Sequence, residues 1–354
     1  MLSKDNFTKE HIVELRRMGK ADPAILERTL FAFGLLEALL RTEMPFIFKG
    51  GTALLLLLDK PMRLSTDIDI IVEPGTDVDK YIQEAGRIFP FLDCHEDVRK
   101  GRNNIEKRHY KFLYQSPSTG KEVNILLDIL FDECPYSDLA IRPLKNDLLI
   151  TEGDDFTVRL PEINCILADK LTAFAPHTTG IPFGVGKELE IIKQMYDCWT
   201  LLQHMTDFEK VKQTYHAVVV KELAYRDLQL QPADVLSDTV QSCLCLMGRG
   251  SIRKDEYPFY IAGIDRLRGH LWRDTLMGEN AGLRACSILY LAAHLITDRH
   301  ECTKLSEPEH YQNISLKVKN ARRLSYIKDS SEDLPYAYLI EAYNLLGDEH
   351  FVLE

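Results

Sequence analysis

This chain of 354 residues has no long apolar run, no paired cysteines and no net positive charge. Each absence removes a class of function. Uninterrupted apolar stretches stay about as short as that of residues 53–58, far below the roughly 20 residues that span a bilayer as a helix. The first residues, MLSKDNFTKEHIVELRRMG, are polar and amphipathic and lack the apolar centre of a secretory signal. The eight cysteines are scattered without a Cys-x-x-Cys pair, which suits the reduced thiols of a cytoplasm. The nearest approach to a zinc pattern, Cys243-Leu-Cys245 with His300-Glu-Cys302, lacks the paired spacings of structural zinc. Lys and Arg total 43 against 54 Asp and Glu, a net charge of −11. Neither half is basic, which argues against strong non-specific nucleic-acid binding but leaves room for a local basic groove. There is no internal repeat and no low-complexity tract. What remains is ordinary globular composition, 45% hydrophobic and 27% charged, at a length that suits two domains.

The chain is organised around residues 46–72, FIFKGGTALLLLLDKPMRLSTDIDIIV. They read as a short strand, a Gly50-Gly51-Thr52 turn, a helix starting at Thr52, and a second strand carrying Asp67 and Asp69. Strand side chains alternate, so both carboxylates share one face while Ile68 and Ile70 point into the core. Two acids side by side on an apolar strand are costly unless a cation sits between them. Magnesium suits that place, because it takes hard oxygen ligands from one or two carboxylates plus substrate phosphates. Two glycines let backbone N–H groups approach an anion, and the following helix turns its positive end to the same spot. A phosphate cradle beside metal-binding carboxylates is the equipment of phosphoryl or nucleotidyl transfer.

The flanking chain reads as support. Helices are expected over residues 8–19 and 23–42, the second started by Asp22-Pro23. Another is expected over 78–89. Residues 99–114 gather Arg99, Lys100, Arg102, Lys107, Arg108 and Lys111, either as a solvated edge or as a basic lip for phosphates. A hairpin over 107–115 and 121–131 puts Asp128 inside an apolar strand, with Asp132 and Glu133 as rival acids. One or two strands follow within 139–160, and Pro161 marks a boundary into helical periodicity. Helices over 163–175 and 188–204 carry Lys170, and Lys193 with Asp197 at i, i+4; between them runs a Gly- and Pro-rich loop with Lys187. Further helices are expected over 211–225, 233–246, 257–276 and 281–297. Two basic clusters, Arg249 to Arg273 with Trp272 and Lys317 to Lys328, suit solvated faces or RNA backbone.

KGGTAL followed by RLSTDIDI resembles the first motif of the polymerase-beta-like nucleotidyltransferases, and more narrowly the AbiEii/AbiGii toxin branch, with Thr52 where Ser is common. ADKLTAF and EIIKQMYDCWTL resemble that branch's later Lys and Asp motifs. The resemblance covers roughly residues 45–205 and implies an α+β fold: a mixed-sheet nucleotidyltransferase domain over 1–160, then an all-helical domain over 161–354. It implies that Asp67, Asp69 and Asp128 bind Mg²⁺ or Mn²⁺, with Asp128 as third ligand or as base. Gly50, Gly51, Thr52, Arg63 and Ser65 would cradle the NTP, Lys170 would hold its triphosphate, and Lys187, Lys193 and Asp197 would line its pocket. The implied biology is a cytoplasmic toxin that modifies tRNA and is restrained by an antitoxin. Transfer to a small molecule, protein AMPylation and a non-catalytic nucleotide-binding module are the competing readings.

Overall fold

The computed structural model describes residues 1–98 and 106–354, so Arg99, Lys100 and Arg102 of the basic run lie outside the described residues. The chain divides into two units, residues 1–162 with 268–275, and residues 163–267 with 276–354.

The first unit opens with helices α1 (Lys9–Met18) and α2 (Pro23–Arg41). Asp22 caps α2 through its carboxylate to the Ala24 N–H, with Pro23 at the first helical position. Then come β1 (Ile47–Lys49), α3 (Gly50–Leu57), β2 (Ile68–Val72), α4 (Asp79–Ala85), β3 (Asp93–Glu96), β4 (Lys107–Gln115) and β5 (Glu122–Phe131). The five strands form one mixed sheet in the order β1-β2-β5-β4-β3. Only the β2–β5 pair is parallel. A separate hairpin pairs β6 (Leu139–Pro143) with β7 (Thr157–Pro161).

Alternation gives the sheet two unlike faces. Phe48, Ile68, Ile70, Ile125, Leu127, Ile129 and Phe112 fall on one face, and all are buried. Helix α2 covers this side, with Phe31 stacked on Tyr114 at 3.7 Å between ring centroids. The other face carries polar side chains and is taken up below.

Residues 268–275 belong to the first unit, although the sequence pattern suggests one helix over 257–276. The helix stops at Leu267 because the next residues bond elsewhere: Leu64 N–H donates to the His270 carbonyl at 2.7 Å, and Trp272 N–H to that of Met62 at 2.8 Å. Trp272 is buried against Gly19, where any Cβ would overlap the indole. Tertiary contacts here override helix propensity.

The second unit is helical: α5 (Ile163–Ala173), α6 (Glu188–Leu202), α7 (Phe208–Tyr225), α8 (Pro232–Gly248), α9 (Tyr257–Leu267), α10 (Gly278–Ile296), the single-turn α11 (Ser325–Lys328) and α12 (Asp333–Leu346). Its core includes Ile166, Leu167, Ile192, Val219, Leu244, Ile288 and Leu339, all buried. α10 packs on α8 and α12, and α5 on α6 and α7. A mixed-sheet unit together with a helical unit in one chain makes it α+β, as the sequence implied. No described helix is long and apolar enough to cross a membrane.

Candidate active site

The polar face of the sheet carries one row of side chains across four strands. Lys49 of β1 pairs in register with Asp69 of β2, Asp69 with Asp128 of β5, and Asp128 with His109 of β4. Residues in register on neighbouring strands point to the same face, so the row alternates as cation, two acids and imidazole. Asp69 and Asp128 are both half-buried between fully buried neighbours. Asp67 stands just before β2, two residues from Asp69, and Arg28 of α2 brings a guanidinium nitrogen to 3.9 Å from its carboxylate. The rival acids Asp132 and Glu133 lie beyond the end of β5.

The turn residues lie against these acids. Helix α3 begins at Gly50 rather than at Thr52, and Gly50 has φ of +80°, a conformation only glycine takes without strain. A Cβ there would overlap the Asp69 carboxylate. A Cβ on Gly51 would lie 2.7 Å from the Ser65 hydroxyl and 2.9 Å from the Arg63 guanidinium. Gly51, Arg63 and Ser65, the expected phosphate cradle, are therefore brought together. Thr52 is fully buried, and its hydroxyl donates to the Asp67 carbonyl at 2.6 Å. That hydroxyl ties the turn to the aspartate segment. The loop carrying Arg63 and Ser65 is held on two sides: by the Thr29 hydroxyl donating to the Ser65 carbonyl at 2.9 Å, and by the bonds from residues 268–275.

His109 was not among the residues singled out from the sequence. Its Nδ1 lies 2.6 Å from Asp128 Oδ1. The signal was present in the hairpin, because the register that pairs Gln115 with Glu122 also pairs His109 with Asp128.

Lys170, Lys193 and Asp197 lie in the second unit. Lys170 of α5 and Asp197 of α6 form an ion pair at 3.2 Å, with side chains 8% and 1% exposed. Lys193 turns to Glu190 at 2.9 Å. Thus Asp197 joins Lys170, although i, i+4 spacing grouped it with Lys193. Lys187 is exposed, at the start of α6. The loop before it is anchored at its head, where buried Asp238 accepts from the His177 N–H at 2.8 Å and the Thr178 hydroxyl at 2.9 Å. Gly184 and Gly186, with φ of +76° and +77°, give the loop its turns.

Several residues of the basic clusters are taken up in ion pairs. Arg108 bonds both Glu96 and Asp79, and its hydrogen bond holds each of those carboxyls below the usual range. Lys111 pairs with Asp97, Arg266 with Glu188, Arg253 with Glu256, Arg273 with Asp147 and Lys319 with Glu354.

The carboxylates of Asp67, Asp69 and Asp128 offer hard oxygens, the kind Mg²⁺ or Mn²⁺ prefers. Among the described residues, no group of three or more His, Cys, Asp or Glu side chains stands ready to hold a metal ion. Asp67 and Asp69 alone still suit an ion that keeps its remaining positions for phosphates and water.

A family model described as nucleotidyl transferase AbiEii toxin, Type IV toxin–antitoxin system, matches residues 35–247. No curated protein matches the chain. Among solved structures, the crystal structure of JHP933 from Helicobacter pylori is similar at 15% identity, covering 77% of this chain and 93% of that one with a TM-score of 0.44. A second H. pylori crystal structure, provisionally described as a nucleotidyltransferase, is similar at 16% identity, covering 77% and 96% with a TM-score of 0.44.

Proposed function

The chain belongs to the AbiEii nucleotidyl transferase toxin family and is a nucleotidyltransferase; on that premise we propose that it transfers a nucleotide from an NTP to an RNA hydroxyl. The observation that carries this reading is the pair Asp69 and Asp128 abreast on β2 and β5, with the Gly50-Gly51 turn packed against Asp69.

In the proposed reaction, an acceptor hydroxyl oxygen attacks the α-phosphorus in line. A new P–O bond forms, the bond to the β-phosphate oxygen breaks, and pyrophosphate leaves. Asp128 takes the proton of the attacking hydroxyl. Gly51, Arg63 and Ser65 hold the triphosphate by backbone and side-chain donors. Mg²⁺ or Mn²⁺, held by Asp67 and Asp69, would supply positive charge to the phosphate oxygens when bound. Lys170, fixed by Asp197, would stabilise the departing pyrophosphate, with Lys187 and Lys193 nearby in sequence as supporting cations. Positioning and electrostatics dominate phosphoryl chemistry, so this small set suffices.

We propose tRNA as the acceptor, by resemblance to the toxin branch, and a cognate antitoxin in the cytoplasm as the cell's protection. A small-molecule or protein acceptor is the second reading. The net charge of −11 and the ion pairs that occupy Arg253, Arg266, Arg273 and Lys319 favour it. Incubation with α-labelled NTPs, Mg²⁺ and total cellular RNA separates the two. Label on small RNA, weakening steeply with salt, supports the RNA acceptor. Label on protein, or label appearing only when a small-molecule pool is added, supports the second reading and removes the first.

A further inference from the structure

We infer that His109 is a positioning residue for Asp128, holding one carboxylate oxygen so that the other is free to act on the acceptor hydroxyl. The inference rests on the reading of Asp128 given above and adds a residue to it.

The geometry has three parts. His109 and Asp128 are register partners on antiparallel strands, so the imidazole and the carboxylate leave the same face side by side. The Nδ1–Oδ1 distance of 2.6 Å is that of a charge-assisted hydrogen bond. A carboxylate can only accept, so Nδ1 carries the hydrogen and the tautomer is set. The His109 side chain is 19% exposed against 36% for Asp128, so the pair is shielded mainly on the imidazole side. Among the described residues, His109 is the one side-chain partner of the Asp128 carboxylate.

A donor at this place is needed on physical grounds. Asp69 stands in register on the other flank of Asp128, and two carboxylates abreast repel. The imidazole N–H attracts Asp128 from the β4 side and restricts the rotation of its carboxylate. Histidines and carboxylates paired this way around a reaction centre orient the acting group, and their loss costs activity without touching substrate. The nucleotide is held elsewhere, at Gly51, Arg63 and Ser65. Loss of His109 is therefore expected in kcat and not in KM for NTP.

The test uses the full chain as wild type, His109→Leu, His109→Asn and Asp128→Ala. Asn is the conservative variant because its amide N–H falls close to the position of Nδ1. His109→Leu is expected to lower kcat by about 30-fold, with KM for NTP within about threefold of wild type. His109→Asn is expected to recover kcat to within about fivefold of wild type. Side-chain ¹⁵N–¹H spectra are expected to show His109 as the Nδ1–H tautomer in wild type and to lose that signature in Asp128→Ala. An unimpaired His109→Leu overturns the inference, as does equal loss in the Leu and Asn variants with lowered melting temperatures, which marks a purely structural role. A wild type that transfers no nucleotide overturns the parent reading and takes the inference with it. An active wild type with an unimpaired His109→Leu overturns the inference alone.

Discussion

The hydroxyl of Thr52, itself fully buried, donates to the main-chain carbonyl of Asp67 at 2.6 Å. The bond joins the first turn of α3 to the segment that presents both aspartates. Thr52→Val keeps the shape and leaves the Asp67 carbonyl without this partner, which is expected to cost about 1–3 kcal/mol. Thr52→Ser keeps the donor and is expected to stay close to wild type. Urea unfolding of the three proteins checks this, and a Val variant as stable as wild type would contradict it.

Gly50 and Gly75 share a left-handed backbone, with φ of +80° and +81°, yet differ in surroundings. A Cβ at Gly75 meets nothing within 4 Å, whereas at Gly50 it overlaps the Asp69 carboxylate. Each Ala variant is expected to lose about 1–3 kcal/mol to backbone strain. Only Gly50→Ala is also expected to lose nucleotide transfer, because Asp69 must move. Parallel activity and melting measurements on the pair isolate the displaced carboxylate from the strain.

The ion pair of Lys170 and Asp197 is almost wholly buried. Removing one partner takes the buried ion pair from the other, so Lys170→Met is expected to destabilise by about 3 kcal/mol. The double variant Lys170→Met, Asp197→Leu removes both charges and is expected to regain most of that stability. It is not expected to regain activity, since Lys170 is assigned to the pyrophosphate. Chemical denaturation together with a transfer assay distinguishes the two effects, and an active double variant would remove Lys170 from the mechanism.

Acid is expected to weaken the second unit through His294. Burial holds the His294 pKa below its usual 6.5, opposed by the hydrogen bond from its ring to the Tyr290 carbonyl at 2.8 Å. The unfolded chain then binds more protons than the folded one in the window between the lowered value and 6.5. The stability linked to His294 is present above pH 6.5 and is lost as pH falls below it. Melting temperatures of wild type and His294→Gln across that window test this; the variant should show the shallower dependence on pH.

The sequence disclosed what is periodic or local. The hairpin of β4 and β5 and the start of α2 at Asp22-Pro23 follow from alternation and capping, and the structure has them within a residue or two. Strand β3 was not legible: its four residues, DCHE, carry no apolar alternation and owe their form to pairing with β4. Nor was the return of residues 268–275 to the first unit, since nothing local to Arg268 or Trp272 signals that their backbone will bond to Met62 and Leu64. At the site, Asp67 and Asp69 stood out because acids on an apolar strand violate its pattern. His109 did not, because a histidine on a polar strand face breaks no rule. Its meaning came from strand order, which put Asp69 on one side of Asp128 and the imidazole on the other. The Lys170–Asp197 pair escaped for the same reason, because it joins two helices that spacing treats separately.

The most direct measurement is nucleotide transfer by wild type beside Asp69→Asn, with each α-labelled NTP, Mg²⁺ and total cellular RNA. Asn keeps the size of the side chain beside Gly50 and removes only its charge. Label transferred by wild type, with the folded Asp69→Asn protein reduced by at least about 100-fold, is the expected result. Equal transfer by the two proteins would contradict the assignment of chemistry to this face of the sheet.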